Sequence, residues 1–260
     1  MNYRDKVAFI AGGTTGINFG IANAFAAAGA KVAVLSRKQE NVDTAVEALK
    51  AHGGEVLGFA ADVRDADAVS AALAQAAETL GPIDALVSGA AGNFLAPADK
   101  LSPNAFKTVV DIDLLGTFNV LRSAHPYLRK PGAAVVNITA PQAWLPTVYQ
   151  VHACAAKAGV DQVTRTCALE WGPVGIRVNG IAPGPIADTE GMRRLAPTPE
   201  ATQALVASVP VRRYGTIQEI AKAALWLCSE DAGYVTGVIL PVDGGWSLAG
   251  SGAMSAAMSG

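Results

Sequence analysis

Val7-Ala8-Phe9-Ile10-Ala11-Gly12-Gly13-Thr14-Thr15-Gly16-Ile17-Asn18 is the stretch that decides the fold. An apolar run, Val7–Ala11, breaks into glycines and threonines and then into the Ala-rich pattern of a helix over 17–28. A strand that turns through glycines into a helix brings backbone N–H groups to the helix N-terminus, which favours a phosphate. Gly12 and Gly16 are separated by three residues, so the spacing is G-x-x-x-G and not G-x-G-x-x-G. Asn18 stands where a further glycine would complete the turn. A plain structural turn is the alternative on this stretch alone, because glycine turns after strands are common.

The next strand narrows the choice. Lys31–Ser36 ends in Arg37-Lys38, at the corner where a protein that prefers NAD carries an acidic residue for the ribose hydroxyls. A carboxylate there would repel a 2′-phosphate, whereas Arg37 and Lys38 would pair with one, so the corner points to NADP(H). Ser36 belongs to the same corner, and Asp62-Val63 after the third strand is expected beside the adenine.

Outward from this unit, short β-branched runs alternate with longer helical ones. Strands are expected at Val7–Ala11, Lys31–Ser36, Glu55–Ala60, Ala85–Ser88, Ala133–Thr139, Arg177–Ile181 and Val238–Pro241. Helices are expected over 17–28, 39–52, 66–80, 103–129, 149–171 and 217–229. The alternation predicts an α/β fold, a doubly wound parallel sheet of about seven strands with helices on both faces. No linker or internal repeat divides the chain, so residues 1–246 read as one dinucleotide-binding domain. Residues 183–215, rich in Pro, Gly, Thr and Arg, sit at the carboxyl end of a strand and are expected to form a substrate lid; a solvated loop is the alternative. Residues 247–260 hold small residues, Met and one Leu, and are expected to be a flexible tail or an arm ordered by a neighbouring subunit.

Composition excludes several classes. The chain has 260 residues, 51% hydrophobic and 16% charged, which suits buried parallel strands. A net charge of −2 gives no broad field for nucleic acid or anionic lipid, so any bound anion must be held by local groups. Cys154, Cys167 and Cys228 show neither a disulfide framework nor metal-ligand spacing, and they fit a reducing interior. The apolar run after the charged N-terminus is too short for a signal peptide or a membrane span. Neither a metal nor a membrane is expected, and the location expected is cytoplasmic.

The whole chain resembles the short-chain dehydrogenase/reductase family, whose fold is of the Rossmann type. The resemblance is carried by Gly12 to Ile17, Asp62-Val63, Ser88-Gly89-Ala90-Ala91-Gly92, Asn137-Ile138-Thr139, Lys157, Pro183-Gly184-Pro185-Ile186 and Asp243-Gly244-Gly245. It extends from about residue 5 to residue 246. It implies cofactor contacts from Gly12, Thr14, Thr15, Gly16, Ile17, Ser36, Arg37, Lys38, Asp62, Val63, Ala90, Lys157 and Pro183 to Ile186. The family's usual catalytic set is Asn, Ser, Tyr and Lys. In this chain those positions hold Asp113, Ala140, Ala153 and Lys157. Alanine exchanges no proton, so two readings stand: a degenerate dinucleotide-binding sensor or scaffold, and an enzyme whose reduction dispenses with the tyrosine.

The second reading is favoured by a closer resemblance to the 2,4-dienoyl-CoA reductase branch, especially its peroxisomal type. Matching stretches include Ala90 to Leu95, Leu101 to Val109, Asp111-Ile112-Asp113, Gln150-Val151-His152-Ala153, Ala168 to Pro173 and Thr189 to Leu195. In that branch a hydride adds to the far end of a conjugated dienoyl thioester, charge moves to the thioester oxygen, and a proton is then added to carbon. The resemblance implies an acyl-CoA substrate, NADP(H), and a proton relay through Asp113 and Lys157. A free aspartate is ionised at neutral pH, so a water polarised between the two is the economical proton source. A hydrogen-bonded core aspartate is the bland alternative for Asp113. Arg64 and Arg194 are implied as cations for the CoA phosphates, with Arg37 close to both nucleotides. Phe94, Ser102 and Asn104 are implied along the thioester and pantetheine path. On position alone Arg193 and Arg194 could equally be surface charge. His152 reads as a packing residue, and a reductase of another enoyl or carbonyl substrate remains an alternative in which Tyr149 could replace the lost tyrosine, though only with a local rearrangement. The family also implies a homodimer or homotetramer built on the helices over 103–129 and 149–171. The closing Met258-Ser259-Gly260 lacks a peroxisomal address, which again favours the cytoplasm.

Overall fold

Seven parallel strands form one sheet in the order β3-β2-β1-β4-β5-β6-β7. The computed structural model describes residues 1–251. The strands are β1 (Val7–Ala11), β2 (Lys31–Ser36), β3 (Val56–Ala60), β4 (Ala85–Ser88), β5 (Ala134–Ile138), β6 (Arg177–Pro183) and β7 (Ile239–Val242). The order reverses between β1 and β4, and a doubly wound sheet opens a crevice at the carboxyl ends of its strands at such a point. Both neighbours of the Gly12–Gly16 turn are therefore fixed by topology.

The central strands are buried on both faces, as parallel strands roofed by helices must be. Successive residues alternate between the two cores. Ala8 and Ile10 join Ile21 and Phe25 of α1 (Gly16–Ala27) and Ile220 and Ala224 of α9 (Ile217–Cys228). Val7, Phe9 and Ala11 join Val69 and Leu73 of α3 (Ala66–Leu80) and Val120 and Leu121 of α5 (Gly116–Ala124). Helix α1 approaches α9 so closely that a Cβ at Gly20 would lie on the Ile217 side chain. The remaining helices are α2 (Gln39–Lys50), α4 (Pro103–Val110), α6 (Val151–Trp171), α7 (Glu190–Leu195) and α8 (Pro199–Ser208).

Most boundaries fall within two residues of those expected from the sequence, and three differences matter for the site. The single helix expected over 103–129 is interrupted: a π-helical turn at Asp111–Leu115 separates α4 from α5, and a 3-10 turn follows at His125–Tyr127. A π turn inserts one residue per turn and re-aims the side chains it carries, which moves Asp113 inward. The helix expected from 149 begins at Val151, because Tyr149 has a left-handed backbone (φ 65°) that no α-helix accepts. Residues 183–215 are not a solvated loop throughout, since they contain α7 and α8, each entered through a threonine cap, Thr189 and Thr198. Of the tail, Trp246–Ser251 forms a 3-10 turn, and residues 252–260 lie outside the described residues. Among the described residues no helix is long and apolar enough to cross a membrane.

Candidate active site

A cleft of about 410 Å³ lies over the β1–β4 crevice and takes in Gly12, Thr15, Ile17, Asn18, Ser36, Arg37, Lys38, Asp62, Val63 and Ala90. Gly12 (φ 80°) is packed so closely under the end of β4 that a Cβ there would be 2.8 Å from the Ala90 nitrogen. Gly16 (φ 55°) has no atom within 4 Å of where a Cβ would stand, so the space above the first turn of α1 is open. Thr15 is the N-cap residue of α1 but makes no side-chain cap hydrogen bond. The first-turn donors thus remain available to an anion, and the cradle fits a dinucleotide's pyrophosphate. Arg37 and Lys38 are exposed at the far wall.

Several residues expected at the cofactor are not part of this cleft's lining. Thr14 and Lys157 do not line the cleft. Pro183, Gly184, Pro185 and Ile186 leave β6 against β7: a Cβ at Gly184 would meet Asp243, and Pro185 and Ile186 line a separate cleft of about 140 Å³ with Arg213 and Glu219. Asn41 and Gly191, which the sequence did not single out, do line the cofactor cleft. Gly191 belongs to α7, so the 183–215 segment reaches the site.

Asp113 and Lys157 are brought together as expected. Lys157 Nζ is 3.2 Å from Asp113 Oδ2, with the two side chains only 10% and 2% exposed. Asp113 Oδ1 accepts from the Gly92 N–H at 2.7 Å, and Lys157 also donates to the Ile138 carbonyl at 3.2 Å. Thr117 Oγ1 donates to the Asp113 carbonyl at 2.7 Å, satisfying an acceptor in the widened π turn. Ala153, one helical turn before Lys157, is buried and offers only a methyl group. Tyr149 lies outside α6 and is 54% exposed, so it is not a buried phenol beside Lys157.

Asn93, Phe94, Gln150 and His152 make pairings that the sequence does not show. Asn93 Nδ2 donates to Gln150 Oε1 at 2.8 Å, and the His152 ring stacks on Phe94 at 4.5 Å with Nε2 3.1 Å from the Phe94 carbonyl. His152 is thus a packing and hydrogen-bonding residue. Their only sequence signal was membership of the stretches Asn93-Phe94 and Gln150-Val151-His152. Ser102 caps α4, with Oγ accepting from the Ala105 N–H, and Asn104 is exposed in its first turn. Arg194 is exposed and already paired. Its Nε pairs with Glu190 at 2.9 Å, Arg193 pairs with the same carboxylate, and Arg194 Nη1 reaches the Asn93 carbonyl at 3.4 Å. Arg64 is likewise engaged, holding Asp62 through two side-chain hydrogen bonds of 3.0 and 2.6 Å. Those bonds, with the nearby charges of Arg64 and Arg37, hold the Asp62 carboxyl below its usual range.

The family model described as enoyl-(acyl carrier protein) reductase, of the short-chain dehydrogenase type, matches residues 11–247. The chain belongs to the short-chain dehydrogenase/reductase family. It is an oxidoreductase of that family, and the family's cradle implies a nicotinamide cofactor. A rat protein named peroxisomal 2,4-dienoyl-CoA reductase, (3E)-enoyl-CoA-producing, is 50% identical over 244 residues, covering 93% of this chain and 84% of its own. A Bacillus subtilis protein named probable 2,4-dienoyl-CoA reductase, (2E)-enoyl-CoA-producing, is 40% identical over 92% of this chain and 96% of its own. The solved structure of a short-chain dehydrogenase from Bacillus anthracis superposes with a TM-score of 0.86 at 38% identity, covering 93% of this chain and 96% of that one.

Other titratable groups of this short-chain dehydrogenase/reductase stand apart from the Asp113–Lys157 pair. Burial pushes the Cys167 thiol up to about 11 and the Cys228 thiol up to about 12, so both stay protonated and unreactive at neutral pH. Asp161, one turn beyond Lys157, is 3% exposed, Oδ1 has no hydrogen-bond partner among the described residues, and burial raises its carboxyl above the usual range. A carboxyl raised on folding is least costly below its unfolded pKa and destabilises the fold as pH rises through the folded value. Asp161→Asn is therefore expected to raise the melting temperature at pH 8, on the order of 2–4 °C. The gain should shrink toward pH 4. Calorimetry at the two values checks this, and a gain that is the same at both pH values contradicts it.

Proposed function

We propose that this protein reduces the 2,4-dienoyl thioester of CoA with NADPH, as a step in the β-oxidation of unsaturated fatty acids. The observation that carries the reading is a buried Asp113–Lys157 pair beside Ala153, with no phenol next to the lysine. Reduction of a ketone needs a proton at an alkoxide, which a tyrosine supplies in this family. Reduction of a conjugated thioester leaves its charge on the thioester oxygen and takes its proton at carbon, so a phenol at position 153 is dispensable. The names of the rat and Bacillus relatives support the same substrate class.

Gly12, Thr14, Thr15, Gly16 and Ile17 would hold the pyrophosphate, Ser36, Arg37 and Lys38 the 2′-phosphate, Asp62 and Val63 the adenine, and Ala90 the floor of the cleft. Lys157 would hold the nicotinamide ribose, with Pro183 to Ile186 at the carboxamide end. When bound, the reduced nicotinamide supplies a hydride. Asp113 and Lys157 polarise a water that delivers the proton to carbon, and Gly92 keeps the Asp113 carboxylate turned toward the lysine. Phe94, Ser102 and Asn104 border the thioester and pantetheine path. Arg64 and Arg194 meet the CoA phosphates by exchanging part of their present pairing with Asp62 and Glu190. Residues 183–215 act as the lid, with Gly191 over the cofactor and Arg194 on the Asn93 loop. Exposed Leu115, Phe118 and Leu169 on the π turn, α5 and α6 suit burial against a second copy in a homodimer or homotetramer. The three unpaired cysteines suit a reducing compartment such as the cytoplasm.

Separate titrations with NADPH, NADH and a 2,4-dienoyl-CoA test this reading. Both NADPH and the thioester should bind, whereas a protein that only senses dinucleotide would ignore the thioester. Arg37→Ala should weaken NADPH about 10- to 100-fold, the equivalent of one lost charge-assisted contact of about 1.5–3 kcal/mol, and leave NADH nearly unchanged. Equal losses for the two dinucleotides would exclude the 2′-phosphate role.

A further inference from the structure

Asn18 stands where the glycine-rich turn lacks its last glycine, and the fold gives its side chain a specific partner. Nδ2 donates to the Gly89 carbonyl at 2.7 Å. A carbonyl can only accept, so the amide cannot be turned round. Oδ1 is thereby left buried, with no hydrogen-bond partner among the described residues. The amide presses directly on Gly89: a Cβ built there would be 2.3 Å from Asn18 Oδ1 and 2.5 Å from Nδ2. Gly89 is not among the glycines with positive φ, so a side chain at 89 would be opposed by the Asn18 amide and not by the backbone conformation.

The clasp holds the segment on which Asp113 is hung. Gly89, Ala90 and Ala91 leave β4 along the cofactor cleft, and the next residue, Gly92, donates to Asp113 Oδ1 at 2.7 Å. Gly12 bears on the same segment from below. The first turn of α1 and the buried carboxylate are thus joined through four consecutive residues.

We propose that Asn18 is a positioning residue: by clasping the Gly89 carbonyl it holds residues 89–92 in register, setting the floor under the dinucleotide and the orientation of Asp113 together. The proposal rests on the dinucleotide reading of the cleft, while the clasp itself does not. Asn18→Asp keeps the shape but turns a carboxylate oxygen on the Gly89 carbonyl. Asn18→Gly removes the side chain, Gly89→Ala adds the obstructing methyl, and the double variant combines the last two changes.

Three readouts are needed: the melting temperature without ligand, the NADPH dissociation constant by fluorescence titration, and the pH profile of kcat. Gly89→Ala alone should lower the melting temperature and weaken NADPH about tenfold. The loss in melting temperature should be largely recovered when Asn18→Gly is added, since the obstruction is gone, whereas NADPH should stay weakened, since the clasp is gone as well. Asn18→Asp should weaken NADPH about tenfold and displace the pH profile of kcat, the signature of a reoriented Asp113. A clasp with a structural role alone would lower melting temperatures and leave the dissociation constant and pH profile at wild-type values, and that result overturns the proposal. Equal losses in melting temperature from Gly89→Ala with either residue at 18 also overturn it. A wild-type protein that binds no dinucleotide would refute the cleft reading and with it the positioning role, while recovery of the melting temperature in the double variant would still report the clasp.

Discussion

Lys157→Ala is expected to abolish reduction and to destabilise the fold by about 3–5 kcal/mol, the usual effect of removing one member of a buried ion pair. The lysine is 3.2 Å from Asp113 and both side chains are almost wholly enclosed. Its loss leaves a carboxylate whose one remaining side-chain hydrogen bond among the described residues is from the Gly92 N–H, in a place water does not reach freely. It also removes the cation that would hold the nicotinamide ribose, so NADPH affinity should fall along with turnover. Denaturant unfolding and an NADPH titration measure the two effects separately. Wild-type stability would mean that the pair is not closed in solution. Wild-type affinity with lost turnover would confine Lys157 to the proton step.

Asp113→Ala is the second large effect, and it should divide differently. The aspartate faces Gly92 and Lys157 and does not line the cofactor cleft. Because Asp113 is assigned the proton step and no contact with the dinucleotide, NADPH binding should be spared while kcat falls about 10²–10⁴-fold, the range for loss of a general acid–base group. Single-turnover measurement at saturating NADPH isolates the step. Unchanged turnover would remove Asp113 from the proton relay and leave it as a hydrogen-bonded core residue.

The parts of the site that were legible in the sequence are those written in local pattern. Val7–Ala11 followed by Gly12 and Gly16 could only be a strand turning into a helix, and the basic pair Arg37-Lys38 lies on the cleft wall because a strand end places it there. The approach of Asp113 to Lys157 came from resemblance, since no periodicity links two residues on separate helices. Tertiary hydrogen bonding hid the rest. The π turn at Asp111–Leu115 keeps the apolar spacing of an ordinary helix, so the pattern over 103–129 reads straight through it. Asn18 looks like a defect in a glycine motif until Gly89, 71 residues away, is seen to lack the side chain that would obstruct it. The pairing of Arg64 with Asp62 and of Arg194 with Glu190, two and four residues away, is likewise not legible in the sequence pattern. Pro183 to Ile186 are expected at the cofactor by motif, and the packing of Gly184 on Asp243 and the second cleft lined by Pro185 and Ile186 are not legible in that motif.

The measurement that bears most directly on the proposed chemistry is NADPH oxidation at saturating cofactor with 2,4-hexadienoyl-CoA, run beside a simple ketone. Turnover of the thioester and none of the ketone is the expected result, since Ala153 offers no proton to an alkoxide while the Asp113–Lys157 pair can serve a carbon. Reduction of the ketone, or no reduction of dienoyl thioesters of several chain lengths despite measurable NADPH binding, would contradict it.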